Sequence, residues 1–319
     1  MRLQPQAAFA ACALAAALLI GGCHKSDKTS LAFVTNNASD YWTICQKGVA
    51  KAQKELPNDN IEFKEPGDGT VATQQQYVND LIATGVSGIA ISPVDPTNET
   101  PFLDQVASKT NLITSDSDAP NSKRLCYIGT DNHAAGVKVG DLIKQAIPQG
   151  GQIMLFVGQA DAQNAKDRMQ GVRDALKGSN IQVLDVRTDG TDHAVAKSNA
   201  ADTLVKYPHI AGLVGIWSYN GPAIVSAVQD AGKVGKVKIV CFDQEQGTID
   251  GLKSGAIYGA VVQDPYTFGY KSMKLLDQLA HGDKSGIPAS GQIFIPTQII
   301  TPATVNQYVA QQAKLMGGG

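Results

Sequence analysis

From Leu31 onward, short apolar runs rich in β-branched residues alternate with longer stretches whose apolar positions recur at helical spacing. The runs that predict strands are LAFVT, IEFKE, GIAIS, NLITSD and LCYIGTD, then QIMLFVG, IQVLDV, GLVGIW, VKIVCFD and YGAVVQD. Between them the pattern predicts helices over 40–56, 71–84, 134–147, 162–177, 194–206, 222–231 and 266–280. Strands alternating with helices at this spacing imply right-handed βαβ crossovers and parallel sheets covered on both faces.

The pattern also divides in two. NLITSD and VKIVCFD each stand fourth in a series of strand–helix units, one series starting at Leu31 and the other at Gln152, and each ends in aspartate. The expected fold is therefore α/β, with two similar Rossmann-like lobes built on parallel sheets. Ligands of open parallel sheets bind beyond the carboxyl ends of the strands. Those ends carry Asn36-Asn37, Ser92 with Asp95, Asp116 with Asp118, Asp189 with Asp192, Ser218-Tyr219-Asn220, Asp243-Gln244 and Gln263-Asp264. Such residues also cap helices and make turns. A ring of mixed donors and acceptors aimed from two halves at one cleft nevertheless suits a neutral polyhydroxylated ligand. Carboxylates accept from hydroxyls, and amides both donate and accept. Asp116 and Asp243 recur as a pair with Arg168 between them in the chain, which favours binding over capping. The only tryptophans are Trp42 and Trp217; Trp217 directly follows an apolar strand, where core packing and ligand contact are equally expected.

The first residues read as an address. The stretch from Ala7 to Ile20 is uninterrupted small or apolar sequence behind Met1-Arg2. It is shorter than the roughly 20 residues a membrane span needs and matches the apolar core of a signal peptide. It ends in Leu19-Ile20-Gly21-Gly22-Cys23, a pattern that resembles a bacterial lipobox. Residues 1–22 are thus expected to be a lipoprotein signal peptide, Cys23 the lipidated residue and 23–30 a linker. The exported chain would sit in the periplasm or on the outer face of the cell envelope, lipid-anchored. Cys45, Cys126 and Cys241 then remain, an odd number, and the last two lie in apolar strands as small buried hydrophobes. No CxxC occurs and the five histidines are scattered, so no metal site is expected. The formal charge is −2 without a basic run, which argues against nucleic acid as a partner.

Taken in order, LAFVTNNASDYW, GIAISPVD, LITSDSDAP, YIGTDNHAAGVKVGDLI, AKDRMQGVRDAL, GLVGIWSYNGPAIVSAVQDAG and IVCFDQEQGTIDGLKSGAIYGAVVQDPYTFGYKSM resemble the ribose-binding-protein-like substrate-binding proteins of bacterial sugar ABC transporters. The resemblance runs from about Leu31 to about Thr304. It implies the type I periplasmic-binding-protein fold, with crossover hinge strands joining an N-terminal lobe of 31–131 and 264–296 to a C-terminal lobe of 132–263 and 297–316. It implies sugar contacts at Asn37, Tyr41, Trp42, Ser92, Asp116, Arg168, Tyr219, Asn220, Asp243 and Gln263, and places Asp192 near an aromatic contact of the ribose binders. Where those proteins carry arginine after the first aspartate this chain has Ser117, and its first loop is about two residues longer. Both departures weigh against ribose itself, and which of Tyr41 and Trp42 stacks on the ligand stays open. By the same resemblance the protein is a monomer without a cofactor that closes on a monosaccharide or related polyol and docks on a membrane permease with a separate ATPase.

Three other readings compete. A sugar-sensing or chemotaxis component would share every feature above. An exported glycoside-acting enzyme would use the paired carboxylates, but no GxSxG elbow or HExxH accompanies them. GDGTVA at 67–72 matches GxGxxA, yet it follows the second strand unit rather than the first. It is expected to be a turn with Thr70 capping a helix.

Overall fold

The computed structural model describes Met1 and residues 28–317, so the signal peptide, Cys23 and most of the linker lie outside the described residues. The chain opens with β1 (Ser30–Val34), α1 (Asp40–Glu55), β2 (Asn60–Lys64), α2 (Val71–Ala83), β3 (Gly88–Ile91), α3 (Pro96–Ala107), β4 (Asn111–Ser115) and β5 (Cys126–Gly129). It continues with α4 (Asn132–Ala146), β6 (Gly151–Val157), α5 (Gln163–Leu176), β7 (Ile181–Thr188), α6 (His193–Lys206), β8 (Gly212–Gly215), α7 (Asn220–Asp230), β9 (Lys238–Phe242), α8 (Gln246–Lys253) and β10 (Gly259–Val262). The remainder is α9 (Pro265–Ala280), β11 (Gln292–Phe294), β12 (Gln298–Ile300) and α10 (Val305–Gly317).

The strands form two six-stranded sheets, ordered β11-β5-β4-β3-β1-β2 and β12-β10-β9-β8-β6-β7. The two orders are the same once β1 is matched to β6, β2 to β7 and so on, which is the internal repeat read from the sequence. All neighbours pair parallel except β10 with β12. Helices cover both faces of each sheet, so each lobe has two apolar clusters rather than one, and strands such as β3 and β4 are buried along almost their whole length.

Between the sheets the chain passes three times: from β5 into α4, from β10 into α9, and from β11 into β12. Aspartates mark the first two crossings. Asp131 accepts from the Ala134 N–H at the start of α4, and Asp264 accepts from the Thr267 N–H at the start of α9. Each crossing helix then packs on the first helix of its new sheet, α9 on α1 and α4 on α5. The GDGTVA stretch is a turn as expected, with the Thr70 side chain accepting from the Thr73 N–H to cap α2. Cys45, Cys126 and Cys241 are all free and buried; burial pushes the Cys126 thiol up to about 11 and Cys241 up to about 12.

Candidate functional site

The fourth strands, β4 and β9, deliver the central carboxylates. Asp116 and Asp243 follow them, both at φ 63°, in a left-handed conformation that a non-glycine residue seldom adopts. Neither caps a helix. The strained backbone instead turns each carboxylate into the space between the sheets, as strain at ligand sites commonly does. That space is a cavity between the two sheets, lined from both of them. Its walls are Asn36, Asn37, Ser39, Tyr41, Trp42 and Asp116 from one side and Asn164, Arg168, Trp217, Ser218, Tyr219, Asp243 and Gln263 from the other.

Arg168 is almost wholly buried, at 1% exposure. Its Nε donates to Asn132 Oδ1 (2.9 Å) and its Nη1 to the Ile216 carbonyl (2.9 Å), while Cζ sits 4.3 Å from the centre of the Phe242 ring. Its Nη2 has no protein partner. Arg168 pairs with neither Asp167 nor Asp174, the carboxylates of its own helix. Asp167 accepts from Gln163, and Asp174 pairs with His133 and Lys177.

Burial raises the pKa of both cavity aspartates from the ordinary value, Asp243 to about 6, and the nearby Arg168 charge opposes the rise. Asp116 accepts from Tyr41 (2.8 Å) and Ser92 (3.0 Å). Asp243 accepts from the backbone N–H of Gln263 (3.1 Å) and from its Nε2 (3.1 Å to Oδ2). Gln263 Oε1 in turn accepts from Thr130 (2.8 Å), so the side chain ties two of the three crossings together as well as lining the cavity.

Of the expected contact residues, Asn37, Tyr41, Trp42, Asp116, Arg168, Tyr219, Asp243 and Gln263 lie together on the cavity wall. Three do not. Ser92 is buried behind Asp116 and donates to it. Asn220 faces away: its Nδ2 donates to Asp189 and its Oδ1 accepts from the Trp217 N–H. Asp192 is exposed and accepts from the N–H groups of Ala194 and Val195 as the cap of α6. In all three, a nearby backbone or buried polar group satisfies the side chain before a ligand can.

Trp42 combines the two roles: it is 1% exposed, packs against Phe33 and stands edge-on to Tyr41 at 5.0 Å, yet part of it reaches the cavity. Trp217 and Ser218 also reach the wall, as do Asn36 and Ser39. Asn164 was not foreseen. It lies one turn before Arg168 on α5, and that i, i+4 spacing was the available signal.

The family profile of the periplasmic binding protein domain matches residues 31–284. The chain belongs to this family. Among curated relatives, the D-allose-binding periplasmic protein of Escherichia coli is 26% identical over 259 residues, covering 78% of this chain and 82% of that protein. The D-ribose/D-allose-binding protein of Pseudomonas aeruginosa is 22% identical over 290 residues, covering 86% and 89%. A solute-binding protein of an ABC transporter from Burkholderia graminis, solved in complex with D-arabinose, superposes with a TM-score of 0.83. It is 28% identical and covers 88% of this chain and 97% of its own. This binding protein therefore shares its two-lobed α/β architecture with a solute-binding protein solved with a bound sugar. Among its described residues, no helix is long and apolar enough to cross a membrane.

Proposed function

We propose that the protein captures a monosaccharide or related polyol between its lobes and delivers it to an ABC permease with a separate ATPase. One lobe comprises 31–131 with 264–296, the other 132–263 with 297–316. The observation that carries this reading is the unpartnered Nη2 of Arg168, held on the cavity wall that also carries two buried carboxylates. A buried donor left unpaired costs about 1–3 kcal/mol, which a ligand oxygen relieves. The aspartates accept from hydroxyls, and the rings of Trp42 and Trp217 offer apolar edges to the carbon skeleton. The relatives reported above are named as binding proteins rather than enzymes. No step of covalent chemistry is needed. A ligand bridging both lobes shifts the population toward the closed form, because neither lobe makes the full set of contacts alone.

Cys23 anchors the chain in this reading, and the body acts as a monomer. A Cys23→Ser variant released from the membrane fraction would agree with the anchor. A thermal-shift screen of the purified protein against monosaccharides and polyols tests the main reading. A sugar at 100 times its dissociation constant adds about 2.7 kcal/mol of stability. If no polyol moves the transition while an amino acid or a purine does, the sugar assignment fails.

A further inference from the structure

The two tryptophans make the same bond on opposite walls of the cavity. Trp42 Nε1 donates to Asn36 Oδ1 at 3.2 Å, and Trp217 Nε1 donates to Asn164 Oδ1 at 3.2 Å. An indole N–H is a donor only, so each bond fixes which way its asparagine amide points. The oxygen is committed to the ring, and what remains of each amide is its Nδ2. Neither Nδ2 donates to a protein atom among the described residues, although Asn164 is buried at 4% exposure and both asparagines line the cavity.

The internal repeat does not produce this match. Asn36 lies in the turn before α1, whereas Asn164 lies inside α5, the counterpart of α1. Trp42 is on α1, whereas Trp217 follows β8. Two non-equivalent pairs have arrived at one arrangement, which points to a requirement of the cavity rather than a shared ancestry of the lobes.

We propose that Asn36 and Asn164 are specificity-determining residues: indole-locked amides, one per lobe, that present fixed N–H donors to two oxygens of the ligand. Trp42 and Trp217 are the positioning residues that hold them. This rests on the sugar-binding reading and deepens it. The cavity sorts ligands by whether an oxygen able to accept stands opposite each amide. It turns away a deoxy analogue at either position because the ligand would cover an amide, buried Asn164 or half-buried Asn36, and leave it unpaired.

The lock and the selectivity are tested separately. With only two tryptophans in the chain, the protein has two indole N–H resonances in a ¹H–¹⁵N spectrum. Each should be protected from solvent exchange, and Asn164→Ala should move and deprotect the Trp217 signal alone. Rapid exchange of both indole protons in the wild-type protein overturns the lock. For selectivity, Asn164→Asp keeps an acceptor for the indole but replaces the outward donor with an acceptor. At pH 8, where the new carboxylate is ionised, the variant should keep its folded transition and its protected indole signal. It should lose about ten- to a hundredfold in affinity for the sugar found by thermal shift. The loss should vanish for the deoxy analogue lacking the hydroxyl opposite Asn164. Unchanged affinity in Asn164→Asp, or an equal loss for every deoxy analogue, overturns the proposal while leaving the sugar reading intact. A protected indole pair in a wild-type protein that binds no polyol overturns both the sugar reading and the assignment of the amides to it.

Discussion

Arg168 is fixed before any ligand arrives, by Asn132, by the Ile216 carbonyl and by the Phe242 ring. Such a planar fork has no equivalent in lysine, whose ammonium is a flexible point charge. Arg168→Lys should therefore weaken sugar binding by about a hundredfold in calorimetric titration, and an affinity within threefold of wild type would remove Arg168 from the site. Asp243 adds a pH dependence. Its pKa is raised to about 6, so the ligand-free fold is favoured by protonation, and that contribution fades as pH rises through about 6. Ligand hydroxyls donate to the ionised form, so binding should have the opposite sense. Affinity should be full above about pH 7 and fall as pH drops through 6, by up to tenfold per unit, and Asp243→Asn should flatten that limb. An affinity that rises on acidification would contradict the assignment of hydroxyl donors to Asp243. Both residues were legible in the sequence, Asp243 because its strand-end aspartate has a counterpart at Asp116. Asn164 was not, because an asparagine near a helix start reads as a cap until the indole of Trp217 is known to meet it.

The repeat extends to the way helices pack. Gly48 is the ninth residue of α1 and Gly171 the ninth of α5; Gly269 is the fifth of α9 and Gly136 the fifth of α4. A Cβ at Gly48 would collide with the Tyr266 carbonyl on α9, and one at Gly171 with the His133 carbonyl at the start of α4. Each crossing helix thus lies against its lobe's first helix backbone to backbone. Since the obstacle is main chain rather than a side chain that can turn away, Gly48→Ala and Gly171→Ala should each cost at least about 1–3 kcal/mol in urea unfolding. A change under 0.5 kcal/mol would mean that the helices are not held this closely. These contacts explain why the lobes need glycine at matched places, and a single sequence of slight internal identity conceals it. The alternation of strand and helix was legible, as were ten of the twelve strands among the described residues. The edge strands β11 and β12 were not, because three residues each give no periodicity. Neither were α3, whose interior Pro101 breaks the helical pattern that the rest of the segment supports, α8, which has only eight residues, and α10.

At the scale of the whole molecule, the cavity and the crossings share a residue. Gln263 holds Asp243 with its backbone and side-chain N–H groups, and with its side-chain oxygen it accepts from Thr130 on another crossing. Thr130 is buried and does not line the cavity. Removing its hydroxyl therefore replaces no wall residue and acts through Gln263 and the crossings. Thr130→Val keeps the side-chain shape, frees the Gln263 amide to rotate, and lets the two crossings move independently. If closure around the ligand depends on that link, the fraction of molecules competent to close falls, and apparent affinity falls in proportion. The expected loss is roughly five- to tenfold, with the sugar preference of the wild-type protein retained because the recognising groups are unchanged. X-ray scattering supplies the second readout: sugar should shrink the radius of gyration of the wild-type protein, and Thr130→Val should need more sugar for the same contraction. Were the variant to bind and contract as the wild type does, the crossings would act as passive tethers, and the lobes would be closed by the ligand alone.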